Sequence, residues 1–412
     1  MMMFFTRIKA HVLESYEVSE IHKTISILID IKNATARTSK KRSVALNLDE
    51  KEIQRRIHGG FIGRVVGSTM GAIAEGKSYE SIKNVHGTIN SYVGFKFDEE
   101  GHIPGMPNDD EMFEMVLLVT LEEKGRDVTT MDVARKWLEL IHPNFTFTAE
   151  KVAIDRFKRG EFRFGEALVD GNPYYDFIGA QMRGELPGWV YPGDVDAAVN
   201  LARVDAQVSH AREGITGELF VSAMVANAFE LPASAVTLGA VQFTWLRRVI
   251  EKSKAVIPPN SMYAKVVAKV ESLYEASPAD WERNFLSFRD FAAGEILDEL
   301  CNDSDEDRRN TLRKLFHIHT LPNAGIIMLA LLHGQGDFSR SLEICADCGM
   351  DADCNCGNVG GILGTMLGPE NVPAEWQQPL NNNFMTLVKD WEEEHIDTMA
   401  TRIYAASKKL RG

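Results

Sequence analysis

Four glycines within eight residues, Gly357, Gly360, Gly361 and Gly364, constrain this chain more than any other feature. Their segment is otherwise apolar or small, with helical spacing. Glycine costs about 1 kcal/mol against alanine in a helix interior, so a helix that keeps four needs a reason. Close packing against another helix is that reason. Directly ahead lies an acidic turn, Met350-Asp351-Ala352-Asp353-Cys354, in which two carboxylates two residues apart can face one cation. A second acidic turn, Pro107-Asn108-Asp109-Asp110-Glu111, opens a long apolar run. Paired oxygen donors at two helix starts suit hard divalent cations such as Mg²⁺ or Mn²⁺. The competing reading makes Asp109, Asp110, Asp351 and Asp353 N-caps and first-turn acids favoured by the helix dipole.

Helical spacing runs through almost every other periodic segment. Met112, Val116, Leu117, Val119 and Leu121 predict a buried helix closed by Gly125. Val133, Trp137, Leu140 and Ile141 share one face of a helix over 130–141. Residues 215–229 and 322–332 are apolar on nearly all sides and are predicted to be the two central helices. Residues 231–315 read as polar helices separated by Pro232, Pro258-Pro259 and Pro278, and a charged helix over 383–409 closes the chain. No convincing alternating apolar run interrupts this. The expected fold is all-α, a single compact multi-helix domain over 49–412. Residues 1–48 stand apart as an N-terminal extension that ends in a polar, basic linker, Ala34 to Ser43.

A formal charge of −14 argues against broad nucleic-acid binding, which needs basic surfaces to displace counterions. No apolar run reaches the roughly 18 residues of a membrane span. Five cysteines, an odd number in a long acidic chain, do not make a disulfide scaffold, and a cytoplasmic location is expected. Cys345-x-x-Cys348 with Cys354-x-Cys356 offers four thiolates for zinc or an iron–sulfur cluster. Against that, the first pair sits in a helix and Cys356 opens the next, which leaves little loop to converge the sulfurs. Residues 161–189 form a glycine-punctuated stretch of the kind that binds ligands, with Arg183 as its cation. Arg183 either holds a phosphate or pairs with a carboxylate. His210, between two helices, reads as a structural histidine more readily than as a base.

Three segments in order, Gly67-Ser68-Thr69-Met70-Gly71-Ala72-Ile73-Ala74-Glu75, Asn108-Asp109-Asp110-Glu111 and Gly349-Met350-Asp351-Ala352-Asp353-Cys354, resemble motifs of the ADP-ribosylglycohydrolase family. Those motifs are G-D-x-x-G-x-x-x-E, T-D-D-T and G-x-D-x-D-T. Gly179-Ala180-Gln181-Met182-Arg183, Ser209-His210 and Thr320-Leu321-Pro322-Asn323-Ala324 match as well, so the resemblance spans about residues 49–370. It implies the family's orthogonal helical fold and hydrolysis of a glycosidic bond, N- or O-linked, at ribose C1. The implied substrate is an ADP-ribosylated protein or a smaller ribosyl compound such as a nucleoside. Two Mg²⁺ or Mn²⁺ ions are implied, held by Asn108, Asp109 and Asp110 from one turn and Asp351, Asp353 and Cys354 from the other. The implied catalytic set is Glu75, Asp109 and Asp353, with Glu75 positioning or activating water. The implied substrate contacts are Gly179, Arg183, His210 and Glu111. Four positions depart from the pattern: Ser68 replaces aspartate, while Asn108, Glu111 and Cys354 replace threonines. Cys354 matters most, since a neutral thiol is a poor ligand for Mg²⁺. The alternative is a non-catalytic protein, structural or binding ADP-ribose or a nucleotide, that keeps the pocket.

Overall fold

Asp49 opens the described chain by capping helix α1 (Glu50–Gly71), its carboxylate accepting the Glu52 N–H at 2.7 Å. The computed structural model describes residues 49–412, apart from residues 105, 106 and 303. The expected extension over 1–48 lies outside them. Helix α2 (Tyr79–His86) follows α1, and a loop leads to α3 (Asp109–Lys124), α4 (Thr130–Leu140) and α5 (Thr148–Lys158). After the glycine-punctuated loop come α6 (Glu185–Val190), α7 (Val195–Ala206) and α8 (Arg212–Ala228). The polar helices are α9 (Phe243–Ser253), α10 (Met262–Ala276), α11 (Trp281–Phe291), α12 (Leu297–Asn302) and α13 (Glu306–Leu315). Then α14 (Thr320–Gly334), α15 (Phe338–Asp347), α16 (Ala352–Leu367), α17 (Ala374–Gln377) and α18 (Ile396–Arg411) complete an all-α architecture.

The glycine-rich helix has the partner its composition demands. Helices α1 and α16 run antiparallel with their backbones in contact. A Cβ added at Gly63 would lie 2.0 Å from the Gly360 carbonyl oxygen, and one at Gly360 would lie 2.0 Å from that of Gly63. One turn along, Gly67 meets the Cys356 carbonyl, Gly71 meets that of Ala352, and Gly59 and Gly364 meet each other. The four-residue spacing of Gly59, Gly63, Gly67 and Gly71 therefore matches a ridge of small residues on α16. Around this pair, α8 packs on α6, α7, α9, α14 and α16, and its residues 214–228 are all buried. Helix α14 is buried over 320–332. These are the two central helices expected from their all-round apolar sequences. Gly125 closes α3 with φ +64, and Val133 and Trp137 of α4 are buried, as their spacing requires. All five cysteines are free and buried. Among the described residues no helix is long and apolar enough to cross a membrane.

The expected helix over 383–409 needs correction. Helix α18 begins only at Ile396. Before it stand β4 (Asn383–Thr386) and β5 (Glu393–His395), which pair antiparallel, and β4 pairs in parallel with β1 (Pro107–Asn108). Phe384 and Thr386 point inward and Asn383 and Met385 outward, an alternation too short to register against helical spacing. Asn381 and Asn382 both hold positive φ just ahead, a turn that helical spacing does not anticipate. The pairing matters, because Asn108 is held opposite Thr386 and so the second acidic turn is anchored to the C-terminal hairpin. A second hairpin, β2 (Val236–Thr237) with β3 (Ala240–Val241), precedes α9.

Valine at Gly63 or Gly360 should destabilise the protein by roughly 3 kcal/mol, because neither backbone can retreat without separating the helices. Alanine at Gly294, where an added Cβ meets nothing within 4 Å, should change stability by less than ~1 kcal/mol. Urea denaturation of the three variants measures both effects.

Candidate active site

Three segments converge on the start of α16. The first is the chain leaving α1: the Gly76 N–H donates to the Met350 carbonyl at 2.7 Å, and the Met350 N–H donates to the Lys77 carbonyl at 3.2 Å. Glu75 is thereby fixed against the acidic turn. Gly349 permits this approach, with φ +68 and a missing Cβ that would lie 2.2 Å from the Lys77 oxygen. The second segment is α14, whose Asn323 Oδ1 accepts from the Asp351 N–H at 3.3 Å and from Asn355 Nδ2 at 2.8 Å. The third is the β1–α3 junction. Asn108 Oδ1 accepts the Asp110 N–H at 2.7 Å, and its Nδ2 faces Asp353 Oδ2 at 3.5 Å.

Ligand atoms of Asp110, Asp353 and Cys354 all lie within 4.8 Å of one another. Cys354 Sγ is 3.3 Å from Asp110 Oδ1, and Asp353 Oδ1 is buried with no hydrogen-bond partner. Asp351 occupies the N-cap position of α16 without making the capping hydrogen bond. Asp109, Asp110 and Asp353 stand in first helical turns, as the capping reading has them, but the cap of α3 is Asn108 and Asp351 makes no capping bond. Mutual repulsion shows in the proton affinities. Burial, then the charges of Asp353, Glu150 and Glu75, push Asp109 up to about 7. Asp353 pushes Glu75 up to about 7, with partial desolvation of its carboxyl adding and Lys77 opposing. Burial and neighbouring carboxylates also raise Asp110 and Asp351, Arg64 opposing at Asp110. Burial, then the surrounding carboxylates, raises Cys354 and keeps it a thiol.

Beneath the cluster sits Arg64, wholly buried. Its Nη2 lies 2.7 Å from Asp110 Oδ2, its Nη1 3.1 Å from Glu185 Oε1, and its Nε 3.5 Å from Glu111 Oε1. Gly357 leaves the space: a Cβ there would fall 2.5 Å from Arg64 Nη1. Asn358 Nδ2 donates to Glu185 at 2.8 Å, and Glu114 accepts the Leu186 N–H at 3.0 Å.

The family model of ADP-ribosylglycohydrolases matches residues 49–411, nearly the whole described chain. The chain belongs to the ADP-ribosylglycohydrolase family. Among solved structures, an ADP-ribosylglycohydrolase-related protein complex matches with a TM-score of 0.55 and 18% identity, covering 87% of this chain and 99% of that chain. At that identity the likeness speaks for the fold, which is the all-α fold of the family. No curated protein sequence matches significantly.

Within this ADP-ribosylglycohydrolase fold, the expected site residues divide into two groups. Glu75, Asn108, Asp109, Asp110, Asp351, Asp353 and Cys354 come together at the cluster. Glu111, Gly179, Arg183 and His210 do not present themselves to it as expected. Glu111 turns below, accepting from Ser68 Oγ at 2.7 Å beside Arg64. Arg183 is 1% exposed and committed to buried partners: Nε donates to Asp205 at 2.5 Å, Nη1 to Glu150 at 3.0 Å and to the Gly179 carbonyl, and Nη2 to Ser209 Oγ at 3.2 Å. Its guanidinium also lies 5.0 Å from the ring centres of Phe113 and Trp137. It pairs with carboxylates, then, and does not offer an edge to a phosphate. Gly179 makes room for that pairing, since an added Cβ would lie 2.0 Å from Glu150 Oε1. His210 is wholly buried, its Nδ1 2.8 Å from Ser209 Oγ, and burial holds it neutral.

Sequence reasoning assigned no role to Arg64, Glu114, Glu150, Glu185 or Asp205. Arg64 and Glu114 each interrupt an apolar helical run, the pattern a buried polar network leaves, and were findable. Nothing local marks Glu150, Glu185 or Asp205, whose partners lie in distant segments.

The donor set fits a divalent cation. An orphaned buried oxygen on Asp353, an uncapping Asp351 and the carboxyls of Glu75 and Asp109, both raised by the Asp353 charge, leave negative charge that Arg64 alone does not balance.

Two outcomes follow. Arg183→Ala should cost roughly 3–5 kcal/mol of stability by stranding Glu150 and Asp205, which chemical denaturation will read. Asp109→Asn in chelator should raise the melting temperature at pH 8. A carboxyl with folded pKa about 7 and an ordinary unfolded value near 3.8 destabilises progressively as pH rises between those values. The gain should therefore shrink as pH falls toward 4, and thermal scans across pH check it.

Proposed function

We propose that the protein is a divalent-metal-dependent hydrolase that cleaves a glycosidic bond at ribose C1 of an ADP-ribosyl or related ribosyl compound. The observation that carries this is the meeting of two acidic helix starts, from α3 and α16, in a chain of the ADP-ribosylglycohydrolase family. Asp109, Asp110, Asp351 and Asp353 would hold two cations, Mg²⁺ or Mn²⁺ by the family pattern. Such ions supply orientation of ribose hydroxyls and water and stabilisation of developing charge.

The chain's own residues do the rest. Glu75 is exposed beside Asp353, on a segment locked to the acidic turn by two backbone hydrogen bonds, so it can reach a water above the cluster. Positive charge near Asp353 would pull its raised pKa back toward the ordinary range, which makes it a carboxylate base near neutral pH. Asp109, partly exposed at the first turn of α3, faces the same space. Arg64 fixes the Asp110 carboxylate from below, and Asn323 fixes the Asp351 turn. Arg183, spent on Glu150 and Asp205, anchors the glycine-punctuated loop from behind. Any phosphate on the substrate must then be met by other groups, which favours recognition centred on the ribose.

A second reading, a binding protein without turnover, rests on the departures at Cys354 and Ser68, to which the orientation of Asn108 adds. Asn108 directs its oxygen to the Asp110 N–H and Cys354 offers a thiol. Turnover decides between them. ADP-ribosyl-arginine, ADP-ribosyl-serine, O-acetyl-ADP-ribose and a nucleoside panel should be screened with Mg²⁺ and Mn²⁺ for released ribosyl product. On the hydrolase reading, one of these is cleaved, Glu75→Gln lowers kcat by ~10²–10⁴-fold with substrate binding retained, and Asp353→Ala abolishes both cleavage and metal-induced thermal stabilisation. Stabilisation by ADP-ribose with no cleavage of any compound would establish the binding reading.

A further inference from the structure

The position bounded by Asp110, Asp353 and Cys354 has donors of mixed character. Two are carboxylates and the third is sulfur, with all three ligand atoms within 4.8 Å. Cys354 is 4% exposed, and its Sγ sits 3.3 Å from Asp110 Oδ1. A second sulfur, Met182 Sδ, lies 3.9 Å from it on the loop that Arg183 anchors. Asn358 Nδ2 holds that loop, facing the Gln181 and Met182 carbonyls at 3.3 and 3.4 Å. Asn108, the nearby amide, has its oxygen on the Asp110 N–H. No oxygen donor therefore stands where Cys354 stands.

The thiol is also apart from the chain's other cysteines. Cys356 Sγ, on the same helix, is directed to the Leu342 carbonyl and to Cys345. Cys354 thus faces Asp110 while Cys356 faces Cys345, so the two thiols have different surroundings. What points to a ligand instead is Asp353, 7% exposed, whose buried Oδ1 has no partner. Magnesium demands near-octahedral oxygen coordination, whereas thiolate together with carboxylate suits transition metals.

We propose that this position takes a thiophilic divalent transition-metal ion, of the zinc or cobalt class, in preference to Mg²⁺. The inference rests on the metal-dependent reading of the same site. On binding, the S–H bond breaks, its proton passes to solvent, and a metal–sulfur bond forms, so binding releases a proton.

The test is cobalt spectroscopy on chelator-treated, dialysed full-length protein. Titration with Co²⁺ should produce a near-ultraviolet thiolate-to-cobalt charge-transfer band. The band should persist in Cys345→Ser and vanish in Cys354→Ser and Cys354→Thr, while thermal scans verify that the variants fold. Zn²⁺ should bleach the band, and excess Mg²⁺ should not. Cys354→Thr, which supplies an oxygen donor, should lower the preference for Zn²⁺ over Mg²⁺ at least ~10-fold in competition. Cobalt bound without the band, or a band that survives in Cys354→Ser, overturns the inference. If Mg²⁺ or Mn²⁺ binds and supports turnover without any sulfur signature, the inference alone fails. If no divalent cation binds at all, the metal-dependent function falls with it.

Discussion

Backbone contact between α1 and α16 is the constraint on which the site depends. Two helices that meet through the glycines of α1 and the small residues of α16 at four-residue intervals have no freedom to slide, because any shift brings a carbonyl onto a Cα that has no room. The ends of both helices that carry the carboxylate cluster benefit. Gly71 against the Ala352 carbonyl lies at the top of the interface, and Glu75 and Asp353 continue from there. The same close approach brings Arg64 over Gly357, where its guanidinium reaches Asp110 on α3. One packing decision thus sets the spacing of residues drawn from three distant parts of the chain.

Charge is the second organising element. Two arginines, Arg64 and Arg183, are buried among carboxylates, and each spreads its donors over more than one partner. Ionised pairs of this kind are poor sources of net stability, because desolvation offsets their attraction. Their value is geometric: each arginine fixes carboxylates at defined places, and loss of the cation strands them. Arg64 supports the cluster directly. Arg183 supports the loop carrying Met182, which lies against Cys354. The cluster above them keeps surplus negative charge, expressed as raised proton affinity at Asp109 and Glu75, and that surplus is what a bound cation would neutralise.

Much of this was legible in the chain itself. Glycine spacing demanded a close helix partner, all-round apolar runs marked α8 and α14, and the two acidic turns named the carboxylates of the cluster. These are local properties: each follows from what a short segment costs in water or in a helix, and no distant residue changes the answer. Family membership is likewise carried by ordered short motifs. Tertiary structure alone decided which side chains reach the cluster. Arg183 looks like a phosphate ligand in a glycine-rich loop until Glu150 and Asp205, from α5 and α7, close around it. Gly179 reads as a substrate contact in a binding loop until Glu150 fills the space over it. β4 looks helical until Asn108 pairs beside Thr386. In each case the outcome turns on a partner far away in sequence, and burial gives that partner its weight, since an unpaired charge or backbone group hidden from water costs more than any local preference can supply.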